Sequence, residues 1–201
     1  MFTYQHYVNT CKKYKENGYS FCTPKNPIND KDIIMFHDVD FRIECAEAMS
    51  NMENKNDICA TYFFRLGSTL YNTLSKSSII KIKNMINNNS EIGLHYEKIF
   101  DNLSYEQEIK KQLEILSTAL DYDIKYFNIH EPARTKIDIS KLLPEMNRCY
   151  NSQYFEHAKY ISDSGGRWRE GCFSKHIGKH DKMLVLTHPV WWYCTTPNEN
   201  Y

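Results

Sequence analysis

Apolar residues along the chain follow two spacings in turn. Tyr4, Tyr7, Val8, Cys11 and Tyr14 recur at three- and four-residue steps, which predicts an amphipathic helix over about residues 3–16, closed by Asn17-Gly18. Tyr19-Ser20-Phe21 predicts a short strand. A continuous apolar run follows, Ile33-Ile34-Met35-Phe36, and it stops at His37-Asp38-Val39-Asp40. Runs of this kind form buried strands. Helical spacing returns over residues 42–54 (Ile43, Ala46, Met49, Met52), and a strand is predicted at Ala60-Thr61-Tyr62-Phe63-Phe64. Ser75 opens a helix carrying Ile79, Ile82 and Met85, ahead of a strand ending near His95. Ser104-Tyr105-Glu106-Gln107 reads as a capping sequence for a helix with Ile109, Leu113, Leu116 and Leu120. Strands running to His130 and to His188 complete the series.

Strands alternating with helices long enough to be crossovers predict a mostly parallel sheet. A full eightfold barrel takes roughly 250 residues. With 201 residues the expectation is an α/β fold, an irregular or incomplete (β/α) barrel of about seven strands. No repeat or low-complexity linker divides the chain, so one domain over residues 1–201 is expected. Residues 160–171, glycine-rich, charged and aromatic, read either as a loop over a site or as an ordinary surface loop.

Charge alters this picture little. Lys and Arg equal Asp and Glu at 25 each, so the basic surface expected of a nucleic-acid binder is not indicated. No apolar run approaches the ~18 residues of a membrane span, and the first residues lack the pattern of an export signal. A cytoplasmic protein is the expectation. Seven scattered cysteines without a Cys-x-x-Cys pair fit reduced thiols better than a disulfide scaffold or a structural zinc site.

The chemistry gathers where the strands end. Residues two apart on a strand share a face, so Asp38 and Asp40 can converge on one cation or one water, with His37 pointing elsewhere. Asp-x-Asp is also turn chemistry, and alone the turn is the stronger reading. Three further strands end in polar groups: His95 with Glu97, His130, and His188. Ligands of α/β folds collect beyond strand carboxyl ends. Single histidines and a lone Glu97 are more often structural, yet four coincident ends favour a site. Trp191 and Trp192 beside His188 read as core or as a stacking wall for sugars.

The segments His37-Asp38-Val39-Asp40, Ala60 to Phe64, Glu91-Ile92-Gly93-Leu94-His95, Ile129-His130-Glu131-Pro132, Asp163-Ser164-Gly165-Gly166 and Leu186-Thr187-His188-Pro189 together resemble the polysaccharide deacetylase superfamily. The resemblance is to carbohydrate esterase family four and its relatives, in the variant opening with His-Asp-Val-Asp that is associated with surface-polysaccharide biosynthesis. It implies one divalent ion, usually zinc, and removal of an N-acetyl group from an amino sugar. It implies Asp38 as general base, Asp40 and His95 as metal ligands and His188 as general acid. Ile99 stands where the family has a second histidine, which leaves Glu97 or His130 to complete the metal site. Substrate contacts are expected from Arg134, Asp163, Arg167, Trp168, Trp191 and Trp192. Without an export signal, a nucleotide- or lipid-linked sugar precursor is the expected substrate. The alternatives are a non-catalytic carbohydrate-binding member of the same fold and a metal-dependent phosphoesterase. The sequence leaves the oligomeric state open.

Overall fold

The computed structural model describes residues 2–24, 28–134, 142–143 and 158–200. In chain order its main elements are α1 (Tyr4–Glu16), β1 (Ser20–Cys22), β2 (Asp32–Val39), α2 (Ile43–Asn54), β3 (Thr61–Phe64), α3 (Lys76–Asn87), β4 (Glu91–Tyr96), α4 (Tyr105–Leu120), β5 (Phe127–Ile129), β6 (Lys159–Ser162) and β7 (Lys182–Thr187). The strands form one curled parallel half-barrel, ordered β5-β4-β3-β2-β7-β6, with β1 beside β2. β1 takes the first part of one edge of β2 at Asp32 to Ile34, and β3 takes its last part at Phe36 to Val39. The expected incomplete (β/α) barrel is therefore the observed fold.

Strand alternation sorts the sheet into two faces. Ile33, Met35 and Val39 of β2, Tyr62 and Phe64 of β3, Ile92 and Leu94 of β4, and Met183 and Val185 of β7 pack under the helices in the main core. On the concave face, Ile34, Phe36, Phe63, Tyr126 and Leu184 form a smaller cluster. Gly93 also faces inward: a Cβ there would lie 2.4 Å from the Phe63 ring. Glycine at this point lets Phe63 lie flat against β4.

Local signals set the helices. Thr3 caps α1 by accepting from the His6 N–H at 3.2 Å, and Ser75 caps α3 through the Ser78 N–H. Ser104 and Gln107 close a reciprocal capping box at α4, as their sequence predicts. The expected loop at 160–171 requires one correction, because Lys159–Ser162 is a strand paired with β7 and only the residues after it turn. Its four residues, of which only Ile161 is buried, are too short a run to stand out by periodicity. Among the described residues no helix is long and apolar enough to cross a membrane, and the six described cysteines are free thiols.

Candidate metal and catalytic centre

The concave-face positions at the strand ends are polar. Asp38 and Asp40 come from β2 and the residue beyond it, Arg65 follows β3, His95 and Glu97 end β4, Asn128 and His130 end β5, and His188 follows β7. Same-face alternation carries all of these except Glu97 into the lining of one cleft of about 930 Å³, whose walls include Phe41, Leu70, Tyr160, Arg169 and Trp191. His37 points the other way, as alternation predicts. Its Nε2 lies 2.9 Å from Glu53 Oε1 and its Nδ1 2.6 Å from Thr187 Oγ1, and Tyr7 and Tyr62 also donate to Glu53. This buried network ties the ends of β2 and β7 to α1 and α2 directly behind the cleft.

Within the cleft, Asp40 Oδ1 lies 3.2 Å from His95 Nε2 and 3.8 Å from His130 Nε2, and His188 Nε2 is 3.6 Å from Asp40 Oδ2. One ligand atom from each of Asp40, His95 and His130 falls within 4.8 Å of the others. Asp40 Oδ1 is buried and has no hydrogen-bond partner. A buried carboxylate oxygen without a donor is costly, and one oxygen with two imidazole nitrogens is a donor set that suits zinc and similar ions. The residues present therefore fit a divalent cation.

Burial opposes a charge on His95, but Asp38 and Asp40 more than offset it and raise the ring above the ordinary imidazole value, so a proton competes with a cation for His95. Burial works against the charge on Asp40, but His95, His188 and His130 more than offset it and hold the carboxyl at about 2. Burial, then His95 and Arg65, push His130 below the ordinary imidazole value, which keeps its ring neutral and able to donate a lone pair. For His188, burial opposes a charge, yet Asp163 and then Asp38 and Asp40 raise it to about 9. Asp163 is fully buried. It accepts from His188 Nδ1 at 2.7 Å, the His188 backbone N–H at 3.0 Å and Trp192 Nε1 at 3.0 Å, and burial pushes its carboxyl up from the usual aspartate value.

Other expected site residues are placed differently. Glu97 is engaged by Arg65, with Nε at 3.1 Å from Oε1 and Nη2 at 2.5 Å from Oε2, while His130 Nδ1 stands 3.8 Å from its Oε2. Ile99 is partly exposed and is not among the residues lining the cleft. The loop carrying it is pinned by Glu108 of α4, which accepts from the Ile99 and Phe100 N–H groups and from Tyr96 Oη. Trp192 is wholly buried and Trp168 partly so, packed with Phe2 and Phe173 and away from the cleft. Trp191 does line it, with its ring centroid 5.7 Å from that of Phe41. Arg134 lies on the rim and pairs with Glu131 at 2.6 Å, while Arg167 is exposed and is not among the lining residues.

The sequence reading missed Arg65 and Asn128. Both continue the inward alternation, Arg65 after Thr61 and Phe63, Asn128 between Tyr126 and His130, and that period was the available signal.

The chain's curled parallel half-barrel is the fold of several CE4 family proteins of known structure. Among solved structures it is similar to a CE4 family pseudoenzyme from Bacillus anthracis (17% identity, TM-score 0.53, 89% of this chain and 62% of that one). It is also similar to the Streptococcus pyogenes deacetylase PplD in complex with acetate (15%, TM-score 0.52, 90% and 78%). The chitin deacetylase of the fungal pathogen Colletotrichum lindemuthianum matches at 16% identity and a TM-score of 0.50, over 82% of this chain and 77% of that one. The chain spans less than two thirds of the Bacillus anthracis protein, and these identities establish the fold alone. No family model and no curated protein matches the sequence.

Proposed function

We propose that the cleft is the active site of a metal-dependent hydrolase that removes an N-acyl group, acetyl in the simplest case, from an amino sugar. The observation that carries this reading is the orphaned Asp40 Oδ1 in a cluster with His95 and His130, flanked by Asp38 and by His188. A cation alone could be structural. A cation site with a carboxylate and a proton-bearing imidazole beside it has the parts of amide hydrolysis.

An amide is a poor electrophile, and a divalent ion held by Asp40, His95 and His130 supplies polarisation of the acyl carbonyl and acidification of the attacking water. Asp38 takes the proton from that water. One of its oxygens accepts from Asn128 Nδ2 at 2.5 Å, which leaves the other to face the cleft. The water oxygen bonds to the acyl carbon, the carbon–nitrogen bond breaks, and His188 Nε2 delivers a proton to the departing amine. Asp163 on Nδ1 keeps that proton on Nε2 and the ring aimed at the site. Trp191 and Phe41 give the sugar ring an aromatic wall, and Arg169 and Arg134 set a cationic rim. The names of the similar proteins, a deacetylase in complex with acetate and a chitin deacetylase, support the substrate class.

Non-catalytic sugar binding is the second reading, favoured by the Bacillus anthracis pseudoenzyme among the similar structures. Here Asp38 and His188 both stand at the cluster, which supports catalysis. The phosphoesterase reading lacks a second cluster among the described residues. The test is release of acetate and free amine from acetamido sugars, monomeric, nucleotide-linked and oligomeric, by zinc-reconstituted protein. Chelator-sensitive release that is lost in Asp38→Asn supports the proposal, and binding without release in every case supports the second reading.

A further inference from the structure

We infer that Asn128 is a positioning residue that links the base to the metal centre by dictating which nitrogen of His95 carries a proton. The inference rests on the function proposed above and extends it to a side chain outside the ligand and proton-transfer sets. Asn128 is buried in the middle of β5 and is the register partner of His95 across the β4–β5 ladder. Its amide lies between two groups: Nδ2 is 2.5 Å from Asp38 Oδ1, and Oδ1 is 2.5 Å from His95 Nδ1.

The chemistry of the three groups leaves one arrangement. A carboxylate oxygen only accepts, so the amide nitrogen must face Asp38. The amide oxygen then faces His95, and because it too only accepts, Nδ1 must be the protonated nitrogen. In the neutral ring Nε2 is consequently bare, and its lone pair meets Asp40 Oδ1 at 3.2 Å, the oxygen that no donor serves. Two lone pairs facing each other in a buried site repel unless a proton or a metal cation lies between them, and zinc binding displaces that proton. One amide thus prepares His95 as a ligand and holds one oxygen of the base. This is the tautomer control that ligand-supporting hydrogen bonds exert on metal-binding histidines, joined here to the base through a single side chain.

The test is long-range nitrogen–proton NMR of 15N-histidine-labelled protein, metal-free and zinc-loaded, with zinc affinity measured by competition against a chromogenic chelator. Wild type is expected to show His95 with Nδ1 protonated. Asn128→Leu removes both hydrogen bonds: the His95 signals move toward a mixture of tautomers and zinc affinity falls about 10- to 100-fold. Asn128→Asp keeps an acceptor for Nδ1–H but sets a second carboxylate against Asp38. It is expected to bind zinc within a few-fold of wild type while turnover falls by at least about 100-fold. Unchanged His37 signals in each variant establish that the fold is intact. An N128L protein with wild-type zinc affinity and an unchanged His95 spectrum would overturn the inference. If wild type bound no zinc, the proposed function would fail, while the His95 tautomer in wild type and N128L would still decide the role of Asn128.

Discussion

The side chain and the backbone N–H of His188 both bond to the carboxylate of Asp163, at 2.7 and 3.0 Å. Asp163 follows β6 and His188 follows β7, so the contact is a consequence of the pairing of those two strands. Trp192, buried in the core, holds the second carboxylate oxygen through its indole N–H. The imidazole is thereby fixed before any substrate arrives.

Replacing this carboxylate by Asp163→Asn should lower turnover by about 100-fold or more, since the ring loses its fixed orientation and raised basicity. It should also change the pH dependence of stability. His188 is raised from 6.5 to about 9, so its contribution is fully present below pH 6.5 and is lost as pH rises through 9. Wild-type unfolding free energy should decline across that window by at most about 3 kcal/mol, and the D163N profile should be flatter. Urea unfolding at half-unit pH steps measures both, and parallel profiles would remove Asp163 as the cause.

Glu97 and His130 separate cleanly by substitution. His130→Ala should lose stoichiometric metal, because it removes one of the three clustered ligands. Glu97→Gln should retain metal and instead free the Arg65 guanidinium that it now holds at 2.5 Å. Elemental analysis of the two dialysed variants decides which residue completes the site, and metal lost from E97Q with metal kept in H130A would reverse the assignment.

The tryptophans divide between wall and core. Trp191→Ala should raise KM severalfold with a small change in thermal stability, because its ring faces the cleft. Trp192→Ala removes a wholly buried ring and a donor to Asp163, so it should destabilise the chain by about 3–5 kcal/mol. Thermal denaturation beside steady-state kinetics checks the pair, and equal stability losses would contradict the division.

Much of the centre was legible because strand alternation is a rigid rule. Once Ile33 to Phe36 reads as a strand, Asp38 and Asp40 must share a face, and the ends at His95, His130 and His188 follow in the same way. Arg65 and Asn128 obey the same period but resemble ordinary strand-end residues, and only their partners, Glu97 and the His95–Asp38 pair, reveal their roles. The tryptophans defeat the sequence for another reason. An indole serves equally as core and as sugar platform, and the choice depends on the loop after β6 for Trp168 and on the turn after β7 for Trp191 and Trp192, whose courses no periodicity dictates. β6 itself, four residues with one fully buried side chain, carries too little pattern to be read.

Gly93 tests how tightly the sheet beneath the site is packed. Gly93→Ala would push a Cβ against Phe63 at 2.4 Å and the Tyr126 carbonyl oxygen at 3.1 Å. Overpacking of this kind should cost about 1–3 kcal/mol, read as a lowered Tm. An unchanged Tm would show that Phe63 has room to move.

Metal content measured directly on the purified, dialysed and zinc-reconstituted chain, beside Asp40→Asn and His95→Ala, bears most closely on the central claim. The account predicts about one equivalent of a divalent ion in wild type, lost in both variants. A chain that holds no metal after reconstitution, or keeps it without Asp40, would contradict it.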